Sequence, residues 1–340
     1  MKNKKKQRNK EEKKPIDFKY NFGMYWKLVK KYKWTAVLIL LLILFFQSSY
    51  SAESFVFKYL TDEGANYLAG KTALEIFANA LFWIAAAFIT IKVLQTIFRW
   101  VWMSAINKIE TDMMLDLKRE MFNHVVHLDH EFHTSNKTGS LISKLIRGGN
   151  AVERLSDVLL FNFIPLLFQT IVVGGTILLF DWVSSVVVLG TIIVFAVFSL
   201  YINRLQQPAN MNANDAEDME KAIVSDFLLN IESIKYFGKE ERIKKKYFGF
   251  ANTTRKTMLK HYNYFRTLSS GHTFILGAGV FFLIFFPMQK LLAGTMTIGT
   301  IVFIYTSFGT MIGHLYGFDH GLRGFYRAMA DFESLFRYCE

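Results

Sequence analysis
Six stretches of this 340-residue chain are each apolar over roughly twenty residues or more, the length at which a helix crosses a bilayer. They cover residues 34–59, 73–106, 158–180, 182–202, 268–288 and 298–318. A soluble chain of this length would spread its apolar residues over about two domains of mixed composition. Here the hydrophobic 52% is gathered into the six runs. The sequence therefore predicts an all-α membrane protein with six transmembrane helices. Its one cysteine, Cys339 near the end, excludes an intrachain disulfide framework.

The connections between the runs are of two kinds. Asp181 marks a tight hairpin between the third and fourth runs, and "DEGANYLAGK" and "MQKLLAGTMT" are likewise short. Residues 107–157 and 203–267 form connections of more than 50 residues each, and both are charged. Basic residues stay on the cytoplasmic side of helical membrane proteins. Residues 1–33 carry thirteen Lys or Arg against three acids, and the long connections hold "LKRE", "SKLIR" and "GKEERIKKK". The short loops hold only Lys58, Lys71 and Lys290. The expectation is a multi-pass protein of the plasma membrane with both termini and both long connections in the cytoplasm. One short loop, "GANYLAGKT" from Gly64 to Thr72, superficially resembles a phosphate-binding loop. That loop needs G-x-x-x-x-G-K-[ST], so that its backbone N–H groups wrap the phosphates. Five residues separate Gly64 from Gly70, no apolar strand precedes them, and the stretch falls on the outer face. No nucleotide is expected there.

Residues 1–17 read as a disordered basic tail, too long and too polar for a cleavable signal. In residues 18–33, Phe18, Phe22, Tyr25, Trp26 and Val29 recur at three- and four-residue steps among lysines. That is the pattern of an interfacial elbow helix lying in the headgroup region. Residues 34–340 then make up the six-helix domain. Both long connections keep helical periodicity, with stripes of Leu115, Met121, Phe122 and Val125, and of Ile223, Phe227, Ile231 and Ile234. At 1.5 Å per residue, about twenty further residues carry a helix about 30 Å past the bilayer. Each connection thus predicts a long cytoplasmic helical hairpin, with Gly139 and Gly238 as breakers near the tips. The net charge of +12 lies mostly in these membrane flanks. Attraction to anionic headgroups, about 1 kcal/mol per basic residue near the surface, accounts for it. The expected partner of that charge is the lipid bilayer, with no nucleic acid.

Six spans, short outer loops and two helical hairpins resemble the membrane domain of a type-1 ABC exporter, and local sequence extends the likeness. "FHTSNKTGSLISKLIRGG", Phe132 to Gly149, looks like the first coupling loop of that family. "LLFNFIPLLFQ", Leu159 to Gln169, and "NIESIKYFGKEE", Asn230 to Glu241, resemble the third span and second coupling region of one branch. That branch is the mitochondrial and heavy-metal-tolerance exporters of glutathione-linked compounds. "MADFESLFRY", Met329 to Tyr338, resembles the end of the sixth span. The resemblance implies that two such domains pair, as a homodimer or with a homologous chain. It implies also that a coupling helix at each stalk tip sits on an ATP-binding domain. ATP and Mg are then expected on that domain, with no cofactor and no catalytic residue on this chain. The sequence stops where the ATP-binding domain would start, so the ATPase is expected on a separate polypeptide or in a missing C-terminal continuation.

The resemblance assigns coupling to Phe132, His133, Tyr236, Phe237 and Glu240. Aromatic residues on a charged tip also suit an interface, because they bury much area. In the branch, substrate is held from the fourth, fifth and sixth spans, at positions matching Gln206 and Asn210, Ser269 and His272, and Asp319 and Arg323. Gln206 and Asn210 stand where the branch usually has arginine, and Ser269 and His272 replace a common asparagine–glutamine pair. Asp319 and Arg323 can pair at i,i+4. The site is therefore less positive than a tripeptide carboxylate calls for. His272, His314 and His320 beside Asp319 leave a soft-metal complex open as cargo, against plain hydrogen bonding between helices. His124, His127, His130 and His133 recur every third residue, which turns a helix 300° per step, so all four cannot ligate one ion, and no resident metal is expected. Lys92 and Arg99 are expected to snorkel or to line the aqueous cavity.

The expected function is the membrane half or subunit of an ATP-driven exporter of a small organic, peptide-like or metal/thiol-linked solute. A lipid or hydrophobic-drug exporter, and a non-transporting scaffold derived from an exporter, are the alternatives.

Overall fold
The computed structural model describes residues 17–129 and 138–336. An amphipathic helix α1 (Phe18–Lys31) leads into α2 (Lys33–Leu68) and α3 (Leu74–Val126). The third span is α4 (Thr138–Asp157), a π-helical turn (Val158–Phe163) and α5 (Ile164–Leu178) in succession. Then come α6 (Trp182–Leu229), the short α7 (Ile231–Tyr236), α8 (Glu240–Leu292) and α9 (Ile298–Phe336). Six helical segments among the described residues are long and apolar enough to cross a membrane, and no strand occurs among those residues. The predicted all-α, six-span architecture is what is observed. The helices also run far past the apolar runs: α3 continues twenty residues beyond Ile106 as a stalk.

The loop resembling a phosphate-binding site is not a loop over most of its length. α2 stays helical through Gly64 to Leu68, and the chain then turns at Gly70 with φ +71°. Gly139, expected as a breaker near the first stalk tip, is the second residue of α4, and the tip before it lies outside the described residues. Gly238 does end its helix, with φ +58°, a conformation in which a side chain would be strained.

The chain divides into two compact units. The first holds the described residues up to Ser185 together with those from Pro287 onward; the second is Val186–Phe286. The core of the first unit gathers where α1, the stalk of α3, α4 and the end of α9 meet, around Tyr25, Leu28, Ile106, Met113, Leu155 and Phe332. Polar contacts fix the elbow helix onto this core. Asn21 Nδ2 donates to Glu333 at 3.0 Å and to the Met329 carbonyl at 3.4 Å, and Tyr25 Oη lies 2.9 Å from Ser156 Oγ. Burial pushes the Tyr25 phenol up to about 12, so it stays protonated throughout the physiological range. Arg154 on α4 pairs with Asp331 on α9 at 2.6 Å.

The π-helical turn has a local cause. Pro165 has no N–H for the carbonyl four residues back, and its ring crowds that carbonyl. Widening the preceding turn relieves the crowding, and such turns recur at functional sites. It brings Val158, Asn162 and Phe163 against a glycine stripe on α9. A Cβ at Gly317 would lie 2.9 Å from Asn162 Oδ1, and one at Gly324 would lie 2.7 Å from Val158. The two helices approach this closely because those positions carry no side chain.

Candidate functional site
Four of the expected substrate residues lie in the second unit, where α6 and α8 run antiparallel. Their seam can be followed through contacts that step forward on one helix and back on the other. Thr191 faces Gly279, Phe198 faces Gly271, Ser199 faces His272, Gln206 faces His261, and Thr254 donates to the Ala216 carbonyl at 3.2 Å. His272 is 2% exposed, its Nε2 lies 2.7 Å from Ser199 Oγ, and its ring stacks on Phe195 with centroids 4.0 Å apart. Gln206 is buried, with Nε2 3.3 Å from His261 Nδ1 and 3.4 Å from Nε2. Its Oε1 is buried without a hydrogen-bond partner among the described residues. A buried orphan acceptor of this kind is costly, by about 1–3 kcal/mol, unless something else meets it. Asn210 and Ser269 are exposed.

Asp319 and Arg323 lie on α9 in the first unit. Asp319 is 6% exposed and accepts from Arg323 at 3.2 Å, one helical turn away. The guanidinium side chain stays 45% exposed, so the pair presents a half-neutralised cation rather than a buried ion pair. Sequence reasoning missed Ser199, Phe195 and His261, the groups that hold His272 and Gln206. It missed also that Lys92 pairs with Glu53 at 2.7 Å, with Gln95 Nε2 donating to Ser49 at 2.9 Å alongside. The "QSSYSAES" stretch of α2 was the available signal, since a polar stretch inside an apolar run calls for partners on a neighbouring helix. Arg99 lies over the rings of Phe46 and Trp102, at 5.8 and 5.3 Å.

Of the expected coupling residues, Phe132 and His133 lie outside the described residues. Tyr236 and Phe237 end α7 side by side, their rings edge to face at 5.4 Å, and they are 86% and 68% exposed. Glu240 opens α8 three residues on, in the first turn with Glu241. Of the histidine row, His127 Nδ1 lies 2.7 Å from its own helix at the Asn123 carbonyl. His130, like His133, is outside the described residues. No group of three or more His, Cys, Asp or Glu side chains is placed to hold a metal ion among the described residues.

The fold has counterparts in known proteins. A solved structure of a bacterial Atm1-family ABC exporter with ATP bound superposes with a TM-score of 0.70, at 19% identity, over 90% of this chain and 53% of that one. The human mitochondrial iron-sulfur clusters transporter ABCB7 is 26% identical over 256 residues, which are 74% of this chain and 34% of that protein. The mitochondrial iron-sulfur clusters transporter ATM1 of Saccharomyces cerevisiae is 24% identical over 232 residues, 68% of this chain and 34% of that protein. The chain thus spans about a third of the length of these curated relatives. The profile of the ABC transporter transmembrane region matches residues 36–315. This integral, multi-pass chain belongs to the family of ABC transporter transmembrane regions.

Proposed function
We propose that this chain is the membrane-spanning half or subunit of an ATP-driven exporter, acting as a dimer with a second copy or a homologous chain. Its ATPase power comes from ATP-binding domains that hold the nucleotide and Mg, whether as a separate subunit or on a longer chain. The observation that carries the coupling is the tip of the second stalk. Two adjacent aromatic rings there, Tyr236 and Phe237, are left almost bare beside Glu240 and Glu241. Aromatic pairs this exposed belong at interfaces, where they bury large area at small entropic cost. Basic residues gathered on the stalk side put both termini and both stalks in the cytosol, where ATP is, and the bilayer is the cell membrane. The relatives named above are mitochondrial, which is a difference of compartment and not of topology.

The proposed solute contacts are Gln206, Asn210, Ser269 and His272 in the second unit, and Asp319 and Arg323 in the first. In the second unit the unmet Oε1 of Gln206 favours a ligand group that donates a hydrogen bond; in the first unit, taken by itself, the half-exposed Arg323 favours a carboxylate or comparable anion. Small peptide-like, thiol-linked or metal-linked solutes are the proposed class, and the two mitochondrial relatives are named as transporters of iron-sulfur clusters. Reconstitution in vesicles with the ATP-binding domains tests the coupling. The variant Tyr236→Asp/Phe237→Asp is expected to lower solute-stimulated ATP hydrolysis and flux about tenfold or more, a coupling change of ~1.4 kcal/mol, with helix content unchanged. Flux that persists without ATP, or a double variant with full activity, sinks the reading.

A further inference from the structure
A hollow of about 560 Å³ opens between α1 and the stalk of α3, floored by the buried Leu28 and Leu117. Its rim carries Lys27 and Lys31 from one helix and Asp116, Arg119 and Glu120 from the other. Its level along the spans is read from the start of α2, which a hydrogen bond ties to the rim. Tyr32 donates to Asp116 at 3.2 Å, and from Trp34 onward α2 turns apolar side chains outward. Trp34 is 78% exposed and Leu41 59%, with Val37 and Leu38 between them also bare. The hollow therefore lies just outside the hydrocarbon, at the level of the headgroups. Trp26 on α1, half exposed, and Trp34 under the Lys33 ammonium are the amphipathic rings that settle at that level.

The charges are not those of a general anion trap. Lys31 is paired with Asp116 at 3.2 Å. Lys27, Arg119 and Glu120 are exposed and form no ion pair among the described residues. Two cations and one carboxylate remain, converging on a space bounded below by leucine. We propose that this hollow binds the headgroup of an aminophospholipid, phosphatidylethanolamine, taken from the leaflet on the stalk side. Lys27 and Arg119 take the phosphate, and Glu120 accepts from the primary ammonium. A phosphatidylglycerol headgroup satisfies the cations but leaves Glu120 facing an anion. A phosphatidylcholine headgroup offers Glu120 a charge without an N–H to donate. Attraction of the basic flanks to the bilayer favours anionic lipids in general; this site favours the zwitterionic lipid with a donor. The inference is independent of transport, and its failure leaves the proposed function untouched.

The test uses the intact protein, with any ATP-binding subunit it carries, in nanodiscs holding equal parts of phosphatidylethanolamine, phosphatidylglycerol and phosphatidylcholine. Lipid retained on release is counted by native mass spectrometry. Phosphatidylethanolamine is expected to be retained about fivefold over either competitor, the scale of a single charge-assisted hydrogen bond. Lys27→Gln/Arg119→Gln is expected to lose that retention. Glu120→Gln is expected to erase the preference over phosphatidylglycerol while total retained phospholipid holds. Helix content and elution volume are the controls for folding. Two outcomes overturn the proposal: phosphatidylglycerol ahead in the unmodified protein, or unchanged retention in the Lys27/Arg119 variant.

Discussion

Gly299→Ala is expected to destabilise the protein by about 3 kcal/mol, the upper end of what overpacking costs. An ideal Cβ at Gly299 would lie 2.3 Å from the Lys58 carbonyl oxygen and 2.5 Å from Asp62 Cγ. Neither neighbour is the loose end of a flexible side chain. The carbonyl belongs to the α2 backbone, and Asp62 is held by several bonds at once. Its Oδ1 accepts from the Gly299 N–H at 2.8 Å, while Oδ2 accepts from Thr297 at 3.2 Å and from Lys58 at 2.8 Å. Asp62 thus caps the start of α9 from another helix, which meets both the orphan N–H groups and the positive end of the dipole. Moving α9 away to admit a methyl group would break the cap. Gly64→Ala, two residues past Asp62 on α2, is the matched control. Nothing lies within 4 Å of a Cβ there, and the position is helical, so alanine is expected to be neutral or to stabilise by up to about 1 kcal/mol. Thermal unfolding in detergent should separate the two variants by several degrees. Equal midpoints would mean that α2 and α9 do not approach as closely as the structure places them.

That corner also marks where sequence reasoning stops. The six spans were legible because their lengths are set by the bilayer, and the stalks were legible because their apolar stripes keep the helical period for dozens of residues. The Asp319–Arg323 pair was legible for the same reason, since four residues on one helix are neighbours by geometry alone. Asp62 and Gly299 are 237 positions apart, and Gln206 and His261 are 55 apart. No local pattern couples such positions. The π-helical turn at residues 158–163 had its signal, Pro165 in an apolar run, but a proline predicts disturbance without saying whether the helix bends, ends or widens. Packing against the glycines of α9 selects the widening. The site is half legible in the same sense. Which polar side chains occur in the spans can be read directly; which are already met by a neighbour, as His272 is by Ser199, and which are not, as at Gln206 Oε1, depends on the partner helix.

Asp181 is expected to behave as the counterpart of Asp62 at another short hairpin. Its side chain is wholly buried, and its oxygens accept from the Ser184 N–H at 3.0 Å, the Val183 N–H at 3.3 Å, the Ser184 hydroxyl, and the Lys290 ammonium near the end of α8. Burial pushes the carboxyl upward, but Lys290 and the Ser184 hydroxyl and N–H outweigh it, and the group is held below the usual carboxylate range. Because the folded value is the depressed one, the stabilisation is complete above the ordinary aspartate range and is lost as the pH on that face falls through the folded value. Stability should therefore be flat near neutrality and fall in acid below about pH 4. Asp181→Ala strands Lys290 and the helix N–H groups together. Removing one partner of a buried pair costs about 3–5 kcal/mol, and the lower figure applies because Lys290 is 37% exposed and regains water. Asp181→Asn keeps one acceptor for the helix start and should fall between, with the acid-dependent part of the loss gone. Lys290→Ala should cost less than Asp181→Ala, since the capping bonds to Ser184 survive it. The pair of substitutions together should cost less than the sum of the two single losses, because each single variant already breaks the bond that the other would break. Strict additivity would mean that the ammonium and the carboxylate do not meet in the folded protein, and would leave Asp181 as a helix cap alone.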